Sequence, residues 1–336
     1  MSRKSVAEIW GVPSGKTLRT KLKVGSDPMA ELTIPVWIAA GHEDGPTVCV
    51  TAGIHGCEYA GILAAIDLFA QIDPSVLKGT LAIMPVCNPV AFARVSRYVC
   101  PIDNVNLNRV FPGDKNGSFS QRLAFEIFHS VVVRSQYLMD LHGGDLFEQQ
   151  LPHVKYYASG NSDLDERARM LATVFTGRFV QRIVPEKRIL GGSLFVEASK
   201  IGVPSVIGEA GSEGRVNKDD IEFHRTGMLN VLQWLGMLPK EDTRQTTERE
   251  EVFSETKLLA NQGGFFIPMV RVGEAIDAGA VVAVIKDLEG RVVESIVSPA
   301  KAIVRLLFSI GVVSTGDPLM SLWETQTSIV DTKQHR

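Results

Sequence analysis

The hydrophobic pattern changes character near Pro239. Before it, short apolar runs rich in β-branched residues alternate with longer segments of helical period, which predicts an α/β fold with a mostly parallel sheet covered by helices. Residues 48–54 read as a buried strand that breaks at glycines and passes into an Ala- and Leu-rich helix beginning near Glu58. Residues 79–86, Tyr137–His142 and Ser205–Glu209 read as further buried strands. Helices are predicted over about 120–134, 164–176, 194–200 and 218–235, the last with Asn217 as its N-cap. Residues 1–45 read as a preamble of short strands, with alternation over 31–38 and a turn over 41–45. Between two of the strands, residues 88–119 form an irregular stretch rich in Asn, Pro and Gly. A loop of that length inside a compact domain is more often functional than idle.

After Pro239 the segment KEDTRQTTEREE is polar and reads as a linker or an exposed strand edge. Short β-rich pieces with glycine turns follow, predicting a small all-β module. The expected domains are therefore 1–238 and 239–336. Two similar phrases, 272–276 and 309–313, suggest a pseudo-symmetric barrel-sandwich of the lipoyl/biotinyl type. Lys301 falls near the tip where such carriers hold a modified lysine. The usual methionine-flanked lysine is absent, and a structural role is favoured over a swinging arm.

Composition narrows the function. In 336 residues, 45% hydrophobic and 22% charged residues with a formal net charge of −3 describe an ordinary globular chain without the basic footprint of a nucleic-acid binder. The start, MSRKSVAEIW, lacks a long apolar region and no apolar run is long enough to span a membrane, so a cytoplasmic protein without a membrane partner is expected. Cys49, Cys57, Cys87 and Cys100 show no CxxC pairing and read as reduced thiols.

The candidate chemistry lies where strands end. In an open α/β sheet the carboxyl edge is where ligands bind. His55 and Glu58, three residues apart in GIHGCE, sit at such an edge, and His142 of DLHGG ends another strand. Two imidazoles and a carboxylate suit a catalytic zinc, which keeps a fourth position open. Asp140 points to the same face as His142 and could orient a ligand histidine. Cys57 is either a fourth donor or a buried filler, with the filler favoured. Glu209 ends a strand before a Gly-rich turn and suits a general base, with Glu213 ranked below it. In the loop, Asn88, Arg94, Arg97, Asn106, Asn108 and Arg109 form a polar inventory from which an arginine could pair with a carboxylate or an oxyanion.

GIHGCE, NLNRVFPG, DLHGG and the glutamate of GEAG stand in the order seen in the succinylglutamate desuccinylase/aspartoacylase family, which is related to the A-type zinc carboxypeptidases. The chain resembles that family over roughly residues 45–235, and its β-rich tail is similar to that of many bacterial members. The resemblance implies a hydrolase with one zinc per chain that cleaves an N-acyl group from an amino acid or similar amine. In it, His55, Glu58 and His142 bind zinc and Glu209 is the general base. Asn108 and Arg109 match the pair that holds the substrate carboxylate. Arg97 is the choice for the carbonyl-polarising arginine, with Arg94 as the alternative. Members specific for N-acyl aspartate carry an additional arginine before the glutamate. Here only Lys200 is basic between Ser193 and Glu209, which points toward the broader bacterial deacylases, some acting on N-acetylated diamino acids. The expected partner is a small N-acyl amino acid, with a homo-oligomer left open. The alternatives are a carboxypeptidase acting on peptides and an inactive metal-binding scaffold.

Overall fold

The computed structural model describes residues 6–185, 191–240 and 249–324, and the backbone of 329–330. Ten strands make one large mixed sheet. Its centre is parallel: Glu43–Ala52 lies between Lys78–Met84 and Tyr137–His142, and Ser205–Glu209 follows. These strands are fully buried where they carry Val, Ile, Leu and Met, as a sheet covered on both faces requires. One face packs on the helices Tyr59–Gln71, Ser162–Phe175 and Lys218–Trp234, and the other on Phe119–Ser130 and Leu194–Lys200. Asn217 caps its helix by accepting from Asp219 N.

The flanks depart from the mostly parallel expectation. Lys16–Ser26 and Glu31–Ala40 form a long antiparallel hairpin, and Glu31–Ala40 also runs antiparallel to Lys78–Met84. On the other side His153–Tyr157 runs antiparallel to Ser205–Glu209 and parallel to Phe179–Ile183. The antiparallel pairing has a chemical consequence. It sets the start of one strand against the end of the other, so that His153 lies opposite Glu209 and Lys155 opposite Ile207.

Of the polar segment predicted as a linker or strand edge, residues 241–248 lie outside the described residues. Its last part is Arg249–Val252, a strand hydrogen-bonded in parallel to Phe179–Ile183. The large sheet thus takes in chain from beyond residue 239.

The β-rich region that follows folds as two small sheets around one apolar core including Phe266, Ile285, Val304 and Leu322. The two similar phrases supply Ala275–Ile276 and Val312–Val313, each a two-residue strand at the edge of a different sheet. Lys301 is exposed, on the turn between Val292–Val297 and Ala302–Phe308. This region does not stand apart: its strand Ala302–Phe308 pairs with Glu148–Gln150, a three-residue strand just after His142.

Candidate active site

The three expected ligand residues converge at the carboxyl edge of the central strands. Past Ala52 the chain turns at Gly53 and Gly56. A Cβ on Gly56 would lie 2.1 Å from the carbonyl carbon of Ala91, so only glycine lets the turn pack there. Glu58 is the N-cap residue of Tyr59–Gln71, yet its side chain makes no capping bond. Its carboxylate points instead between two imidazoles: Oε1 is 2.7 Å from His55 Nδ1 and Oε2 is 2.8 Å from His142 Nδ1. One donor atom from each of the three residues falls within 4.8 Å of the others, and among the described residues this is the one such group.

The outer nitrogens are held as well. His142 Nε2 lies 3.1 Å from Asp140 Oδ2, while Thr51 Oγ1 donates to Asp140 Oδ1 at 2.7 Å. His55 Nε2 lies 3.3 Å from Asn106 Oδ1. Each ring is thus fixed by its far nitrogen with Nδ1 turned inward, the arrangement in which a carboxylate or amide sets the tautomer of a metal-binding histidine. Burial opposes charge on both rings, but Glu58, and Asp140 for His142, hold their pKa values above the ordinary one. Burial likewise opposes ionisation of Glu58, and the two imidazoles outweigh it. Two nitrogens and an anionic oxygen facing a common point, with a cavity on the remaining side, fit a zinc ion.

That cavity, about 380 Å³, is lined by all three residues and by Glu209, Asn108 and Arg109. Glu209 stands outside the three-residue cluster, with both carboxylate oxygens engaged. Lys155 Nζ donates to Oε1 at 2.6 Å and Gln150 Nε2 to Oε2 at 3.0 Å. Burial works against its ionisation, but Lys155, His153, His142 and Arg305 together hold its carboxyl below the usual range. Burial also holds the Lys155 ammonium below its ordinary value, partly countered by Glu209.

The loop 88–119 is more structured than its composition suggests. It contains the helix Pro89–Ala93, a small hairpin of Val99–Cys100 with Val105–Asn106, and a 3₁₀ turn at Leu107–Arg109. Asp103 fastens it to the start of Phe119–Ser130 by accepting from Ser118 Oγ, Ser120 N and Ser120 Oγ. Asn108 is buried beside His142, with Oδ1 accepting from Leu194 N at 2.8 Å and Nδ2 3.4 Å from His142 Nε2. Arg109 donates from Nη1 to Asn108 O at 2.6 Å. Gly192 packs on its backbone, where a Cβ would come 2.1 Å from Arg109 O.

Arg97 does not line the cavity; Tyr98 does. The Arg97 guanidinium stacks on the rings of Tyr98 and Phe147, donates to Tyr98 Oη at 3.2 Å and has Nε 3.8 Å from Asp145. Tyr98 Oη in turn donates to Glu148, and Tyr98 holds a positive φ of 53°. Such strain in a residue with a side chain is characteristic of functional sites. Arg94 and Lys200 are exposed. Cys57 donates to Asp145 Oδ1 at 3.0 Å and stands outside the ligand group, and all four cysteines are free and buried. Glu213 binds Gln149 and Arg215.

Several wall residues carry no sequence signal of their own. Lys155 interrupts the apolar strand His153–Tyr157, and Gln150 sits in a strand of three residues. Glu255, Lys257 and Arg305 come from the β-rich region, more than a hundred residues from Gln150. Alternation with the core residues Val154 and Tyr156 sets Lys155 on the other face of the strand; only the fold brings the others to the site.

The model of the succinylglutamate desuccinylase/aspartoacylase catalytic domain matches residues 44–235. The N-α-acetyl-L-2,4-diaminobutyric acid deacetylase of Halomonas elongata is 26% identical over 276 residues, spanning 80% of this chain and 79% of that protein. Among solved structures, the product-bound ectoine utilization protein EutE (DoeB) of Ruegeria pomeroyi superposes with a TM-score of 0.85 at 22% identity, covering 94% of this chain and 98% of its own. The succinylglutamate desuccinylase/aspartoacylase of Rhodobacter sphaeroides does so with a TM-score of 0.85 at 23% identity, covering 95% and 98%. Among the described residues no helix is long and apolar enough to cross a membrane. With its family model matched across the central strands and the cluster they present, the chain belongs to the succinylglutamate desuccinylase/aspartoacylase family.

Proposed function

We propose that the protein is a zinc-dependent hydrolase that removes an N-acyl group from an amino acid or related amine, on a carboxypeptidase-like catalytic domain that takes in the strand Arg249–Val252, with a smaller β-module after it. One observation carries the reading: a three-donor cluster, a separate carboxylate and an arginine line one small cavity. His55, Glu58 and His142 would hold one zinc ion, which supplies Lewis acidity toward a water and the scissile carbonyl. Glu209 accepts the proton of the attacking water and passes it to the amine nitrogen as the C–N bond breaks, leaving a carboxylate and a free amine. Its separation from the cluster suits that role, because a carboxylate that ligates the metal gives up part of its basicity to it.

Arg109 takes the substrate carboxylate, and the Asn108 amide supplies a donor beside it. Oxyanion stabilisation falls to Arg97. Its guanidinium lies behind the wall residue Tyr98, so the role requires it to leave its contacts with Tyr98, Phe147 and Asp145 and turn into the cavity. The Halomonas relative supports an N-acetylated diamino acid as the first substrate to try. A cavity of about 380 Å³, walled on one side by Arg305, Phe308 and Met320, suits a small molecule better than a peptide and disfavours the carboxypeptidase alternative.

The test pairs metal content with turnover. Glu209→Gln should keep zinc and lose turnover by about 10²- to 10⁴-fold, the contribution of a positioned acid/base. Glu58→Gln should lose zinc. The reverse pattern would exchange the two roles, and undiminished turnover in Glu209→Gln would end the mechanism. Assaying N-acyl amino acids beside C-terminal peptides separates the deacylase from the carboxypeptidase, and a zinc-loaded protein inert to both would be the scaffold.

A further inference from the structure

The β-module after residue 249 is joined to the site by main chain as well as by side chains. Its strand Ala302–Phe308 pairs with Glu148–Gln150 in the register Leu306 to Gln150, Leu307 to Gln149 and Phe308 to Glu148. Two more bonds extend the seam, from Leu151 N to Arg305 O at 2.8 Å and from Ser309 N to Phe147 O at 2.9 Å. Among the described residues Glu148–Gln150 has no other strand partner, and it lies outside the ten-stranded sheet. Three residues do not hold a β conformation unaided. The module thus supplies the strand pairing of this segment, beside bonds from Glu213 N to Glu148 O at 2.9 Å and from Glu148 N to Asp145 O at 3.0 Å.

Gln150 passes that constraint on. Its backbone N–H donates to Ser212 Oγ at 3.1 Å, and its side-chain Nε2 donates to Glu209 Oε2 at 3.0 Å. Gln150 is 6% exposed and Glu209 8%, so water does not readily replace this bond. The other carboxylate oxygen is taken by Lys155, and with one donor on each oxygen the carboxylate plane is set. Next to Gln150 in the seam, Arg305 brings a buried guanidinium to the same wall. Its Nη2 is 3.5 Å from His153 Nε2, Nη1 is 3.8 Å from Glu255 Oε1, and its Cζ lies 5.9 Å from the Trp323 ring centroid. His153 is the residue opposite Glu209 in the sheet.

We infer that the β-module is a working part of the active site, with Gln150 as the positioning residue through which its docked strand aims the carboxylate of Glu209, and Arg305 bracing the strand on the far side. The inference rests on the deacylase reading for what Glu209 does, but not for where Glu209 is held. It assigns the module a purpose that neither a carrier lysine nor a partner-binding surface requires.

A double-mutant cycle on the zinc-loaded full-length enzyme tests it. Gln150→Leu removes the donor and keeps most of the volume. Turnover should fall about 10- to 100-fold, as a small misplacement of a catalytic group does, with KM changed far less than kcat because proton transfer belongs to the transition state. In a Glu209→Gln background the same substitution should cost almost nothing further. Arg305→Met should lower turnover in the same sense, with Arg305→Lys recovering part of it, and zinc content should not change in any variant. Wild-type turnover in Gln150→Leu, a rise in KM alone, or an equal loss in both backgrounds would overturn the inference. Should the wild type hydrolyse no N-acyl amino acid, the deacylase reading fails by itself, and a crystal structure of Gln150→Leu then decides. A Glu209 carboxylate turned from its wild-type orientation supports the positioning role, and one left unmoved refutes it.

Discussion

Lys155 Nζ stands 2.6 Å from Oε1 of Glu209, a largely buried ion pair on the cavity wall between two antiparallel strands. Removing one partner of such a pair leaves the other charged in a low-dielectric site, at a cost of about 3–5 kcal/mol. Lys155→Met should therefore destabilise the fold by that amount in denaturant unfolding at pH 7. The sign with pH follows from Glu209, whose folded pKa is held below the unfolded value. Its stabilisation is complete above the ordinary carboxylate pKa and fades as pH falls through the lowered folded value. The gap between variant and wild type should accordingly narrow in acid. Equal stability at pH 7 would mean that the pair contributes nothing.

The metal cluster makes a graded prediction. His55→Ala and His142→Ala each remove one of three donors and should abolish stoichiometric zinc while leaving the large core folded. Asp140 touches only the far nitrogen of His142. Asp140→Asn should keep zinc at saturating metal but weaken its affinity about 10- to 100-fold, the usual effect of losing the partner that orients a ligand. Competition with a chelator measures both. Unchanged affinity in Asp140→Asn would make that carboxylate a packing feature of the strand.

Arg109 separates charge from geometry. A lysine there keeps the positive charge but loses the planar fork that grips a carboxylate with two bonds. Arg109→Lys should raise KM with little change in kcat, provided the contact is as strong before the transition state as in it. A substrate whose carboxylate is replaced by an amide should be poor with wild type and lose little more with the variant. A variant that still discriminates fully between the two would place the carboxylate elsewhere.

Much of this site was legible because its residues sit where periodic segments end. His142 and Glu209 close apolar strands, and His55 and Glu58 straddle a strand-to-helix break, so the pattern that revealed the fold also marked the chemistry. The hairpin strand Lys16–Ser26 reads only as part of a preamble because its outward Lys and Arg residues mask an inward file of Thr20, Leu22 and Val24. The strand His153–Tyr157 is harder to see: only Val154 and Tyr156 of its five residues join the apolar core, and His153 and Lys155 between and before them break the run. Glu148–Gln150 and Arg305 were out of reach altogether. They meet only through a strand pairing between segments far apart in the chain, and no local periodicity encodes such a partner.

His153 offers a second test by pH. It is fully buried, with Nδ1 donating to Leu151 O at 2.8 Å, which leaves the Nε2 lone pair facing Arg305 Nη2. Burial first, then the charges of Arg305 and Lys155, hold its pKa well below the ordinary value, and Glu209 pulls the other way without prevailing. The unfolded chain therefore takes up a proton near pH 6.5 that the folded protein refuses. Stability from this residue is complete above that pH and declines as pH falls toward the folded pKa, by about 1.4 kcal/mol per unit. His153→Gln removes the titration and keeps a polar side chain of similar reach. As pH falls below 6.5 the zinc-loaded wild type should lose more stability than the variant in urea unfolding. Parallel stability curves would show that His153 accepts its proton inside the fold, and that the cationic wall around Glu209 is weaker than its geometry implies.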